Sequence, residues 1–180
     1  MKVKSDILLT ELERMVKSHI ARVQSYLDMN ASTLNKKPSP ESWSALECFE
    51  HLNRYGRFYL PEIENRIQSA TPAKGTQFKS SWLGEYFAQS MLPKEKLNKM
   101  NTFKNMNPAG SNLSVSAVEE FIEQQNRMLR LLHNARQVDL KKVKTSISIS
   151  KWIKLRLGDT FRVVIYHNLR HLEQAKRAIQ

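Results

Sequence analysis

The chain has 180 residues, 41% hydrophobic and 26% charged, a length and balance that fit one globular domain over residues 1–180 and exclude disorder as its main state. Cys48 is the lone cysteine, which excludes an intrachain disulfide framework. The formal charge of +12 is uneven: residues 1–90 hold 12 Lys and Arg against 10 Asp and Glu, and residues 91–180 hold 17 against 7. The basic second half attracts anions (nucleic acid, acidic lipid or a small acidic ligand) without choosing among them. No apolar run approaches the roughly 18 residues of a membrane span, and MKVKSDILLTELER has neither the apolar stretch nor the cleavage site of a signal peptide. The expectation is a cytoplasmic, reduced protein that does not enter the membrane.

Scarce Gly and abundant Leu, Lys, Glu, Gln and Arg favour helices. Leu8, Leu12, Met15, Val16, Ile20, Val23 and Leu27 recur at three- and four-residue steps and predict a first helix over 5–29. NASTLNKKPSPES follows as a loop. Ser44 and Glu47 form an S-x-x-E capping box that starts a second helix, with Trp43 and Cys48 at the positions of a hydrophobic staple. Pro61 should kink or end that helix near Leu60. Residues 69–112 are punctuated by Pro and Gly and read as a long irregular crossover with a short helix over 82–89. A third helix starts at Ser114 or Ser116, where Ser116 and Glu119 repeat the capping-box pattern. TSISIS alternates as a short extended segment. Asp159 is placed to cap a fourth helix running toward Ile179. The fold class read from this order is all-α: a four-helix bundle with a long irregular crossover between helices two and three.

His167 and His171 stand four residues apart in the last helix, one turn above the other on one face, so that two imidazoles can share one metal ion. A third ligand must come from another helix, and His51 on the second helix is the best candidate. Three neutral imidazoles suit a divalent ion such as zinc or nickel and leave a position for water or substrate, the arrangement of a catalytic site. Such an ion lowers the pKa of a bound water or thiol.

Other residues have blander readings beside sharper ones. Glu47 can orient His51, but the capping box already accounts for it. Cys48, a fourth ligand on the sharp reading, is on the bland one a small buried hydrophobe. Trp43 reads as a staple rather than a substrate platform, and His19 as a hydrogen-bonded core histidine; His133 has no spaced partner. Gln174 and Arg170 flank the His pair, able to hydrogen-bond the site or hold an anion, though ordinary polar contacts explain them as well. Lys141, Lys142, Lys144, Lys151, Lys154 and Arg156 surround Trp152, either a nucleic-acid-like composition or a solvated loop with one anchoring Trp. No nucleic-acid-binding motif is present.

Three segments, WSALECFEHL at 43–52, HNLRHLEQA at 167–175 and the lead-in KLRLGDTFRVVIYH at 154–167, together resemble the DinB/YfiT-like family of four-helix-bundle metalloenzymes. The resemblance spans nearly the whole chain. It implies a DinB-like fold, with His51, His167 and His171 as the metal ligands. It implies metal-assisted hydrolysis or transfer of a low-molecular-weight thiol to a small-molecule substrate, which the basic surface would suit if anionic. It also implies a homodimer as the candidate assembly. No side chain is an obvious general base, so no catalytic residue beyond the ligands is assigned. The alternative is a non-enzymatic basic helical module that binds nucleic acid or another anionic partner.

Overall fold

The computed structural model describes residues 1–93 and 102–180; residues 94–101 of the expected crossover, and the side chain of Lys151 in the basic run, lie outside the described residues. In chain order the elements are β1 (Lys2–Lys4), α1 (Ser5–Val23), α2 (Ala31–Asn35), α3 (Ala45–Gln68), β2 (Gln77–Lys79), α4 (Trp82–Met91), α5 (Ser116–Asn134), β3 (Lys144–Ile147), β4 (Ser150–Arg156) and α6 (Leu157–Ala178). The chain is mostly helical, with two small antiparallel sheets, β1–β2 and β3–β4. Among the described residues no helix is long and apolar enough to cross a membrane.

The four long helices are those whose apolar stripes the sequence displays. α1 and α3 each pack against both α5 and α6. One core cluster joins Leu12, Val16, Ile63, Met128, Leu132 and Phe161; a second joins Val23, Leu46, Phe49, Val118, Phe121 and Leu172. Burial of such side chains, worth about 1.5–3 kcal/mol each, fixes which face of each helix turns inward.

Several boundaries depart from the sequence reading. α1 stops at Val23 and tightens into a 3₁₀ turn over Gln24–Tyr26 rather than reaching Met29. The expected loop after it contains α2, whose Asn30 cap accepts from the Thr33 N–H and whose Leu34 is fully buried. Pro61 does not end α3, which runs on to Gln68. A helix-interior proline costs about 3 kcal/mol, and the turns around it offset that by burying Tyr59, Leu60 and Ile63. The Ser116–Glu119 box does not form: Val115 occupies the cap position in a helical conformation, and Ser114 Oγ accepts from the Ser116 N–H instead. Asp159 does not cap α6 either. It lies in the first turn of α6, fully buried, and accepts from Ser80 Oγ and from Ser81 N–H and Oγ at the start of α4. Gly84 makes this approach fit, because a Cβ there would lie 2.2 Å from the Asp159 carboxyl carbon.

The TSISIS segment is extended, as its alternation suggests: β3 pairs with β4 in the register Lys144↔Arg156, Thr145↔Leu155 and Ser146↔Lys154. Thr145, Ile147 and Leu155 face inward, and the last two join Ala88 and Val163 in a third apolar cluster beside α4. Glu62, in the part of α3 beyond Pro61, accepts from the Ser146 N–H at 2.7 Å and so ties this hairpin to the helices. Trp152 anchors nothing: it is 94% exposed.

Candidate metal centre

The capping box at Ser44–Glu47 forms in both directions, with Glu47 N–H to Ser44 Oγ at 3.2 Å and Ser44 N–H to Glu47 Oε2 at 2.9 Å. It fixes the phase of α3, and two turns later His51 faces α6. The two helices run in opposite directions, since Trp43 reaches the His171 ring whereas Tyr55 reaches the His167 ring. His51, His167 and His171 therefore meet. One ring nitrogen of each lies within 4.8 Å of the others, and the ring centroids are 4.5–5.1 Å apart.

The hydrogen bonds around the rings say which nitrogens face inward. His51 Nδ1 donates to the Met106 carbonyl at 2.7 Å, which leaves His51 Nε2 as a bare lone pair. That nitrogen is 3.2 Å from His167 Nε2. His171 Nδ1 donates to Gln174 Oε1 at 2.8 Å and leaves its own Nε2 bare. Two imidazole nitrogens at such a distance need a proton or a cation between them. A tetrahedral ion with metal–nitrogen bonds of about 2.0–2.1 Å separates neighbouring ligands by about 3.3 Å. The donor set thus fits a divalent ion in chemistry, and the His51–His167 pair fits it in spacing.

Burial is the main force holding the three rings neutral. It lowers the His51 pKa to about 4, with the Met106 carbonyl opposing and Arg54 assisting. His167 is pushed well below the usual imidazole value by burial first, then by His171, His51 and Arg170. Burial does the same to His171, with His51 and Arg170 adding and Gln174 opposing. Neutral rings keep their lone pairs available at physiological pH.

The surroundings are aromatic. Trp43 packs 4.7 Å from the His51 ring and 5.8 Å from that of His171, so it walls the site as well as opening α3. Tyr55 lies 5.0 and 4.8 Å from His51 and His167, and its phenol, raised to about 12 chiefly by burial, stays protonated. The histidines open on a cavity of about 710 Å³, which Arg170 and Gln174 also line. That volume lies within the range of small-molecule sites.

The remaining candidates separate clearly. Gln174 touches the site directly, through His171. Glu47 is spent on the cap and on Lys37, 2.7 Å away. Cys48 is fully buried, and burial with Glu47 raises its thiol far above the ordinary range, so it is a core hydrophobe. His133 is exposed. His19 is a core histidine, as expected: it is buried, and the Gln125 side chain beside it opposes the fall of its pKa, though no bond of ordinary geometry reaches either ring nitrogen among the described residues.

Three contributors escaped the sequence reading. Tyr55 stands one turn beyond His51, a spacing that could have flagged it. Arg54 holds the crossover, donating to the Asn107 carbonyl at 2.6 Å and to Ser111 Oγ at 3.2 Å. The Met106 carbonyl is backbone and has no signature in the sequence.

Comparison with curated proteins and with solved structures found no match to the chain. A family model described as the DinB superfamily matches residues 15–175, a span that contains all three histidines. The order of the helices, the meeting of His51 with His167 and His171, and this match agree: the chain belongs to the DinB superfamily.

Proposed function

We propose that the protein is a divalent-metal-dependent enzyme in which His51, His167 and His171 hold zinc or nickel beside the cavity, and that it transfers a low-molecular-weight thiol to a small-molecule acceptor. Metal-assisted hydrolysis is the other reaction open to the same ligands. The same reading takes the four long helices as a DinB-like four-helix bundle, since α1 and α3 each pack on both α5 and α6. The observation that carries it is the bare His51 Nε2, fixed by the Met106 carbonyl and aimed at His167.

A bound divalent ion supplies Lewis acidity, which ionises a thiol or water near neutral pH. The protein does the rest. Met106 and Gln174 hold the imidazole tautomers, Trp43 and Tyr55 limit water, and Arg170 gives the cavity wall positive charge. Either reaction places an organic substrate against the apolar wall; the two differ in whether a thiol or water is the nucleophile.

The test is elemental analysis of untagged protein beside the triple variant His51→Ala, His167→Ala, His171→Ala. Near one zinc or nickel per chain, lost in the variant, is expected. No metal in the wild type after incubation with both ions would overturn the reading.

A second reading rests on the outward face of the β3–β4 hairpin, where Trp152 is 94% exposed between the basic residues of the run, with Lys144 and Lys154 exposed alongside. An aromatic among cations suits stacking on an anionic partner such as single-stranded nucleic acid. Affinity for an oligonucleotide that falls steeply with salt and is unchanged in His51→Ala supports that reading.

A further inference from the structure

The cavity is not uniform along its length. Its lining on α6 runs from Val163 and Val164 past His167 to Arg170, His171 and Gln174. At 1.5 Å per residue, Val163 to Gln174 spans about 16 Å, and the histidines sit between the ends. At the Gln174 end the neighbours are the polar Glu41, Ser42 and Arg170, with the Trp43 indole beside His171. At the Val163 end they are Tyr59, Phe87, Met91, Ile147 and Leu155. Several of these belong to the third apolar cluster, between α4 and the hairpin, so that end is a packed wall.

The apolar lining also continues outward. Tyr86, Phe103 and Ile149 line the cavity, yet are 61%, 52% and 48% exposed. Large side chains left in water around a mouth lose their hydration cost when an apolar ligand covers them. The histidines alone do not need such a wall: water or a small hydrophilic thiol would gain nothing from it.

We propose that the acceptor is an amphiphile lying along this cavity, with a ligating polar atom at the histidines and a body of at least two fused rings, or an alkyl chain of similar bulk, against Tyr59, Phe87, Leu155 and Val163. The inference rests on the metal reading above, and names the class of molecule that this site takes.

The experiment uses zinc-loaded protein and three hydroxamates with one chelating head: acetohydroxamate, benzohydroxamate and 2-naphthohydroxamate, with dissociation constants from calorimetry. Wild type should bind the naphthyl compound about 30-fold or more tighter than the acetyl one, after correction for their free-zinc affinities. Val163→Asn should remove at least tenfold of that gain while zinc is retained and acetohydroxamate still binds. Phe87→Ser, at a half-exposed position, repeats the test should Val163→Asn misfold. Equal affinities across the series, or a gain that persists in the folded variants, overturns the amphiphile while leaving the metal site standing. Failure of acetohydroxamate to bind at all, or of zinc to be retained, overturns the metal reading itself and the amphiphile with it.

Discussion

Two regions of the molecule bury histidine, and they differ in what surrounds the ring. His19 on α1 is 1% exposed, lies beside Gln125, and has no hydrogen-bond partner for either nitrogen among the described residues. His51 is 3% exposed, yet one of its nitrogens is committed to a carbonyl and the other faces two more imidazoles across a cavity wall. Burial lowers the pKa of both to about 4. A depressed pKa is therefore common to the core and the site and does not tell them apart. Convergence does, together with the acceptors that fix the tautomers of His51 and His171.

The comparison breaks most visibly if a single histidine of the cluster is removed. His51→Ala should weaken zinc binding about 1,000-fold or more, roughly 4 kcal/mol, read by competition with a chromogenic chelator, whereas His19→Leu should leave zinc affinity unchanged. Equal loss in both would mean that the two environments are not distinct.

The next effect is on acid stability. The His19 pKa is about 4 folded against an ordinary 6.5, so between these values the unfolded chain binds a proton that the folded chain does not. Stability falls as pH drops from 6.5 to 4 and levels off below, by roughly 3 kcal/mol in total for this group. Urea unfolding of His19→Leu across that window should show a pH slope flatter by up to one proton. An unchanged slope would show that His19 is not buried neutral.

The smallest effect belongs to the groups behind the three histidines. Gln174→Leu removes the acceptor on His171, and Arg54→Met releases the segment that carries the Met106 carbonyl. Each should weaken zinc binding about tenfold without abolishing it. A loss as large as that of His51→Ala would make Gln174 part of the ligand set, or the Met106 carbonyl that Arg54 supports indispensable to it; no loss would mean that the rings are held by packing alone.

Much of this was legible because it is local. The Ser44–Glu47 box, the four-residue step from His167 to His171 and the TSISIS alternation all declare themselves within a few residues, and all are present. The same S-x-x-E pattern at Ser116–Glu119 fails, because the chain is already helical at Val115: the Glu119 N–H goes to the Val115 carbonyl, and the Ser116 N–H goes to Ser114 Oγ. Asp159 looked like a helix cap because its partners, Ser80 and Ser81, stand almost eighty residues away in sequence. Pro61 misleads in the other direction: a local penalty yields to burial of Leu60 and Ile63 that only the folded chain provides. His51 could be nominated as third ligand, but the carbonyl that makes its lone pair available could not.

That carbonyl has a consequence for how this crossover can change. Every amino acid carries the same acceptor, so replacing Met106 with another residue that fills its buried slot preserves the bond to His51. Adding or deleting a residue beside Met106, next to Arg54's anchor points at Asn107 and Ser111, would instead carry the acceptor out of reach. The segment is free in its spelling and fixed in its length.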